Sequence, residues 1–121
     1  MFRLGIKSHF DSAHRLEGYR GECSKLHGHR WEIEAIIKGE ELDDLGMLAD
    51  FKEIKKIMSG LIRKLDHELL NQVDILSGIN PTAENLAYKI FLNLEASIPH
   101  KITLEEVRVW ESPDCWASYR K

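Results

Sequence analysis

The strongest constraint on this chain is a run of alternating side chains that starts inside a pair of histidines. His27-Gly28-His29 leads directly into Trp31, Ile33, Ala35 and Ile37, with Arg30, Glu32 and Glu34 in between. Period-two alternation of this length specifies a half-buried β-strand. Side chains two apart on a strand leave the same face, so His27 and His29 project together. Gly28 lets the backbone pass close to an ion or ligand. Upstream, Phe2, Leu4, Ile6 and Phe10 alternate with Arg3, Lys7, His9 and Asp11, a second two-sided strand. His14 has the parity of that apolar set and falls at or just past the strand's end. An irregularity at Ser12-Ala13 is expected to aim it, since bulges redirect side chains beside active sites. Antiparallel pairing of this strand with residues 29 to 38 brings His14 to His27 and His29.

Three of the chain's six histidines thus gather at the ends of one loop. A lone histidine is ordinarily a surface or satisfied core residue, and His9 and His100, without motif context, are read that way. Three neutral imidazoles with an open fourth position are a typical catalytic zinc set, whereas structural zinc sites usually have four ligands and favour thiolates. His14, His27 and His29 are therefore candidate ligands for one zinc ion. Cys23 lies four residues before His27, on a loop punctuated by Gly18 and Gly21. Three readings are open for it: a fourth ligand, an inert buried thiol, or a thiolate held beside the cation, whose charge would lower its pKa toward neutrality.

A chain of 121 residues is long enough for one core and too short for two, so a single domain spanning 1–121 is expected. Its 43% apolar and 31% charged content match an ordinary water-soluble globular protein. No apolar run approaches the length of a membrane span, and Met1-Phe2-Arg3 opens a strand pattern without signal-peptide organisation, which points to the cytoplasm. Cys23 and Cys115 form no CxxC pair and read as thiols in a reducing compartment, Cys115 as packing. The net charge of −3 argues against nucleic acid, yet residues 1–30 carry an excess of about three positive charges. That basic end is also the histidine end, which beside a dication suits a small polyanion.

Further along, Met47-Leu48-Ala49 reads as a continuation of sheet, and Asp50 with Glu53 as a capping box. Phe51, Ile54, Ile57, Met58, Leu61, Ile62 and Leu65 recur at helical spacing as a core stripe. The helix is expected to end near 66–71, where Asp66 and His67 are either a helix-end cation with its neighbour or an acid–base pair. Adjacent residues on a regular helix do not face each other, so a pair requires the helix to have stopped. Pro81 breaks the preceding segment, Thr82 is an N-cap, and Leu86, Ile90, Phe91 and Leu94 give a second helix its buried stripe. Strands are expected at 102–111 and 115–119 around the turn Ser112-Pro113-Asp114. The order is ββααββ, an α+β fold with a four-stranded antiparallel sheet and two helices on one face. Glu111 ends the third strand, where it is either a solvated carboxylate or an acceptor of paired hydrogen bonds from a heterocycle edge.

Ser12-Ala13-His14, Cys23-x3-His27-Gly28-His29, Leu65-Asp66-His67, Pro81-Thr82-Ala83-Glu84-Asn85 and Val109-Trp110-Glu111 resemble, in order and over nearly the whole chain, the 6-pyruvoyltetrahydropterin synthase family. The three residues between Cys and HGH most resemble its bacterial 6-carboxy-5,6,7,8-tetrahydropterin synthase branch, which feeds queuosine and other 7-deazapurines. The resemblance implies the tunnelling fold, a homohexamer of two stacked trimers with interfacial active sites, and one Zn2+ per subunit on His14, His27 and His29. It makes Cys23, Asp66 and His67 catalytic, Glu111 the pterin anchor, and Thr82 a border of the pterin pocket. The implied reaction is a lyase step from 7,8-dihydroneopterin triphosphate to 6-carboxy-5,6,7,8-tetrahydropterin, acetaldehyde and triphosphate. Rival readings are pyruvoyl-tetrahydropterin formation without carbon–carbon cleavage, a zinc-hydroxide hydrolase, and a non-catalytic zinc-stabilised binding module.

Overall fold

The computed structural model describes residues 1–21 and 24–121. Four strands form one antiparallel sheet in the order β1-β2-β3-β4: Phe2–His14, His27–Gly39, Thr103–Ser112 and Cys115–Tyr119. Between β2 and β3 come helix α1 (Phe51–Leu65), two 3₁₀ turns (Leu70–Gln72 and Asp74–Leu76) and helix α2 (Ala83–Glu95). α1 packs over β1 and α2 over β3 and β4, on the same face of the sheet.

The alternation read from the sequence becomes the layer structure. Ile6, Phe10, Trp31, Ile33, Ala35, Ile37, Val107 and Val109 point from the sheet into the core. Ile54, Met58, Leu61 and Leu65 meet them from α1, and Leu86, Ala87, Ile90, Phe91 and Leu94 from α2. Each large side chain buried this way contributes about 1.5–3 kcal/mol by leaving water. Phe51, expected in the α1 stripe, is instead about half exposed at the helix's first residue.

The first two strands pair without interruption from Phe2↔Gly39 to His14↔His27, so the expected irregularity at Ser12-Ala13 is absent. It is not needed, because plain alternation already gives His14 the parity of Phe10. A bulge occurs elsewhere. Ile37 pairs with Leu104 but Ile36 with Glu106, leaving Glu105 as an extra residue in β3. The inserted residue resets parity, so Leu104, Val107 and Val109 all face the helices.

Met47-Leu48-Ala49 does not continue the sheet; Leu48 and Ala49 tuck into the core from an irregular segment. A Cβ on Gly39 would stand 2.6 Å from Leu48 Cδ1, so any larger residue at the strand end would make the Leu48 side chain shift. Asp50 caps α1 by accepting from the Lys52 N–H, while the Glu53 N–H bonds the Asp50 carbonyl, a cap without the expected box.

Candidate metal centre

Strand pairing sets the centre. His14 stands opposite His27, and Ser12 opposite His29, at the end of the β1–β2 ladder. His14 and His27 bring their Nε2 atoms to 3.0 Å, and the three rings lie edge to face with centroids 4.6–5.3 Å apart. Beneath them Trp31 is fully buried, 4.9 Å from the His14 ring and 5.3 Å from the His29 ring, with its indole N–H donating to the Ser12 carbonyl. Glu111 arrives from the end of β3. Its Oε1 is 3.0 Å from His29 Nε2 and 3.6 Å from His14 Nε2. One donor atom from each of His14, His27, His29 and Glu111 lies within 4.8 Å of every other.

Proton accounting shows what such a cluster accepts. His14 Nδ1 is 2.7 Å from the Pro81 carbonyl oxygen and His27 Nδ1 is 2.7 Å from that of Lys25. A carbonyl only accepts, so both Nδ1 atoms carry hydrogen, and in the neutral rings both Nε2 atoms present lone pairs. Burial pushes the His14 pKa down against the pull of the Pro81 carbonyl, and burial likewise lowers His29 against Glu111. His29 Nε2 is buried without a hydrogen-bond partner even though Glu111 Oε1 lies 3.0 Å away. Lone pairs that converge unprotonated repel one another unless a cation lies among them. The donor set therefore fits a divalent metal, and the carbonyls of Pro81 and Lys25 supply the outer hydrogen bonds that orient metal-binding histidines.

A second group lies along the outer edge of β1. α1 stops at Leu65, Asp66 is extended (ψ 133°), and His67 adopts φ 57°, the one non-glycine residue with positive φ among those described. The break satisfies the condition for a facing pair: His67 Nδ1 is 3.0 Å from Asp66 Oδ2. Asp66 Oδ1 accepts from the Asp11 N–H at 2.9 Å, and the His67 N–H donates to the Asp11 carbonyl at 2.7 Å. The Asp11 N–H, followed by His67, holds the Asp66 carboxyl below the ordinary carboxylate range. Ser12 Oγ donates to the Leu65 carbonyl and closes the helix end. His67 itself is 79% exposed, free to meet a ligand.

Thr82 caps α2, its Oγ1 accepting from the Asn85 N–H at 3.1 Å. The start of this helix and the end of β3 border a depression of about 370 Å³ lined by Ala83, Glu84, Glu111, Cys115, Trp116 and Ala117. Cys115 is therefore exposed beside Glu111 and is not the packing residue expected. Cys23 lies outside the described residues.

The structure thus brings the three expected ligands together, faces Asp66 with His67, and puts Glu111 both at the depression and among the imidazoles. Sequence reading missed that last convergence, as well as Trp31, Asp11 and the two orienting carbonyls. One signal was present: the doublet Glu105-Glu106 interrupts alternation, which is how a bulge looks in sequence. Backbone carbonyls leave no such signal.

A model of the 6-pyruvoyl tetrahydropterin synthase family matches residues 3–121. A putative 6-carboxy-5,6,7,8-tetrahydropterin synthase of Archaeoglobus fulgidus is 36% identical over 119 residues, covering 98% of this chain and 95% of the relative. A dihydroneopterin monophosphate aldolase of Pyrococcus furiosus is 32% identical over 109 residues, covering 90% and 89% respectively. The structure of 6-pyruvoyl tetrahydropterin synthase from Caenorhabditis elegans superposes with a TM-score of 0.89 at 27% identity, covering 99% of this chain and 95% of that one. The sheet, its two helices and their order are those of the tunnelling fold, and the chain belongs to the 6-pyruvoyl tetrahydropterin synthase family.

Proposed function

We propose that the protein is a zinc-dependent lyase that converts 7,8-dihydroneopterin triphosphate and water to 6-carboxy-5,6,7,8-tetrahydropterin, acetaldehyde and triphosphate, feeding 7-deazapurines such as queuosine in the cytoplasm. The observation that carries this reading is the convergence of three imidazoles on Glu111, which itself also lines a depression large enough for a small heterocycle. His14, His27 and His29 would hold the ion, which when bound supplies Lewis-acid polarisation of substrate oxygens. Glu111 orients the pterin by accepting side-by-side hydrogen bonds from its N–H and amino edge. Ala83 and Glu84 at the start of α2 line the depression with Glu111, and Thr82, the residue before them, borders the pterin in this reading. Cys23 acts as base. His67, with Nδ1–H held by Asp66, has Nε2 left to take up and return a proton, and the Asp66 carboxylate stabilises the imidazolium that results.

An oligomer suits the exposed edges. Residues 11 and 13 of β1 have outward backbone partners, but no such partner appears for residues 3–9 among those described, and β4 forms the opposite edge. Edge-to-edge pairing between copies closes sheets into barrels. The face left uncovered by helices carries Lys7, Glu34, Arg108, Trp110 and Trp116 in ion pairs and cation–π contacts, a lining suited to a wet channel. A hexamer of two trimers, with active sites between subunits, is the assembly proposed. No helix among the described residues is long and apolar enough to cross a membrane.

The test is incubation of the zinc-loaded protein with dihydroneopterin triphosphate and, separately, dihydroneopterin monophosphate, with products identified by mass spectrometry. Carboxy-tetrahydropterin with stoichiometric acetaldehyde supports the reading. A pyruvoyl product without acetaldehyde selects the alternative suggested by the Caenorhabditis structure. Cleavage of the monophosphate with its phosphate ester retained selects the aldolase named for the Pyrococcus relative.

A further inference from the structure

β1 ends at His14, yet the outward side of the backbone remains paired beyond it. The Arg15 N–H donates to Asn71 Oδ1 at 2.9 Å, and the Arg15 carbonyl accepts from Asn71 Nδ2 at 2.9 Å. Two residues on, the Glu17 N–H donates to Asn80 Oδ1 at 2.9 Å, and its carbonyl accepts from Asn80 Nδ2 at 3.0 Å. A carboxamide presents C=O and N–H groups as a peptide does, so each asparagine takes the place of a strand neighbour. These contacts continue a series already begun on β1. Asp11 is paired with Asp66 and His67, and the Ala13 N–H donates to the Glu68 carbonyl. The rungs fall at 11, 13, 15 and 17, the period of a strand. Arg15 and Glu17 are exposed and Leu16 half-buried, as that period requires.

The second rung is itself braced. The Asn80 carbonyl accepts from Asn85 Nδ2 at 2.8 Å and from the Thr82 N–H at 2.9 Å. The next carbonyl, that of Pro81, orients His14. One short backbone segment ahead of α2 thus aims a metal ligand and grips the chain three residues beyond it. Gly18, at φ 78°, then turns the chain away.

We infer that Asn71 and Asn80 are positioning residues, a two-amide splint that carries the geometry of β1 past His14 and sets the course of the segment leading to Cys23. The splint stands on its own geometry; its catalytic consequence rests on the proposed function. Residue-level hydrogen exchange on the zinc-loaded wild type separates the two. The Arg15 and Glu17 amides are expected to exchange at least tenfold more slowly than the Gly18 and Tyr19 amides. Asn71→Ala should release Arg15 and leave Glu17 protected, and Asn80→Ala should do the reverse. With zinc stoichiometry unchanged, kcat should fall 10- to 100-fold in each variant while KM stays within threefold. Asn71→Asp and Asn80→Asp keep the acceptor but lose the donor to the Arg15 or Glu17 carbonyl, so they should keep part of the amide protection and fall between wild type and alanine variant in kcat, even where the alanine variants fold poorly. Unprotected Arg15 and Glu17 amides in the wild type would overturn the splint. Lost protection with wild-type kcat would overturn its positioning role. An absence of turnover on any dihydroneopterin phosphate would instead count against the proposed function, and the exchange pattern would still decide the splint.

Discussion

The two histidine groups of this protein are built in opposite ways. His14, His27 and His29 stand on regular strands over the indole of Trp31, with His14 only 1% exposed. His67 stands where a helix has broken, in a left-handed conformation that costs roughly 1–2 kcal/mol for a residue with a Cβ, and it faces solvent. In the first group, burial lowers the pKa of His14 and of His29, favouring the form of those two rings that can bind a cation. In the second, an exposed imidazole backed by a carboxylate is able to exchange protons. The same side chain is suited to one proposed role, ligand, or to the other, acid–base group, according to whether periodicity or its interruption places it.

Several substitutions would break or sharpen that contrast. The largest effect is expected from His29→Ala. Outer-shell partners of metal-binding histidines are worth about 10–100-fold, so loss of a ligand should exceed this. Elemental analysis should show the metal lost along with turnover; full metal retention would remove His29 from the centre. His67→Ala should leave metal content intact while lowering kcat by about 10²–10⁴-fold, the range of a general acid–base group. Loss of metal in this variant would mean that the two groups are not separate.

Asp66→Asn should have a smaller effect on turnover and a diagnostic one on acid stability. The folded carboxyl titrates below its unfolded value of about 3.9, so its contribution is fully present above that pH and is lost as pH falls through the folded value. Urea midpoints of wild type and variant should therefore differ at pH 5 and converge in stronger acid. A gap that persists unchanged at pH 2 would rule out the carboxylate as its source. The smallest effect is expected from Thr82→Ala, about 1 kcal/mol of stability through the lost cap, restored by Thr82→Ser. Metal binding should be untouched, because the Pro81 carbonyl that orients His14 is backbone.

The contrast also explains what could be read early. The grouping of three candidate ligands was legible because strand parity is a local property, and HGH followed by Trp31, Ile33, Ala35 and Ile37 carries it openly. The caps at Asp50 and Thr82 and the bounds of β4 were legible for the same reason. Misreadings fell where local pattern is silent. Leu48 and Ala49 of the apolar run 47–49 pack into the core without joining a ladder, and Cys115, read as packing, lies exposed at the depression beside Glu111. The facing of Asp66 and His67 was conditional on a helix break, and tertiary contacts with Asp11 hold that break in place.

By itself, then, the chain's periodicity determined the ββααββ order, the face on which His14, His27 and His29 emerge, and the stripes that bury the helices. These depend on neighbours two to four residues apart, where backbone geometry alone dictates which side chains share a face. Only the tertiary structure decided that Glu111 meets those histidines, that the Pro81 and Lys25 carbonyls orient two of them, and that Asn71 and Asn80 continue the edge of β1. The Glu111, Pro81 and asparagine contacts join positions tens of residues apart and depend on inter-strand register, including the bulge at Glu105. Lys25, though only two residues from His27, contributes through a backbone carbonyl. Register and carbonyl direction are properties of the assembled sheet, and no residue type announces them.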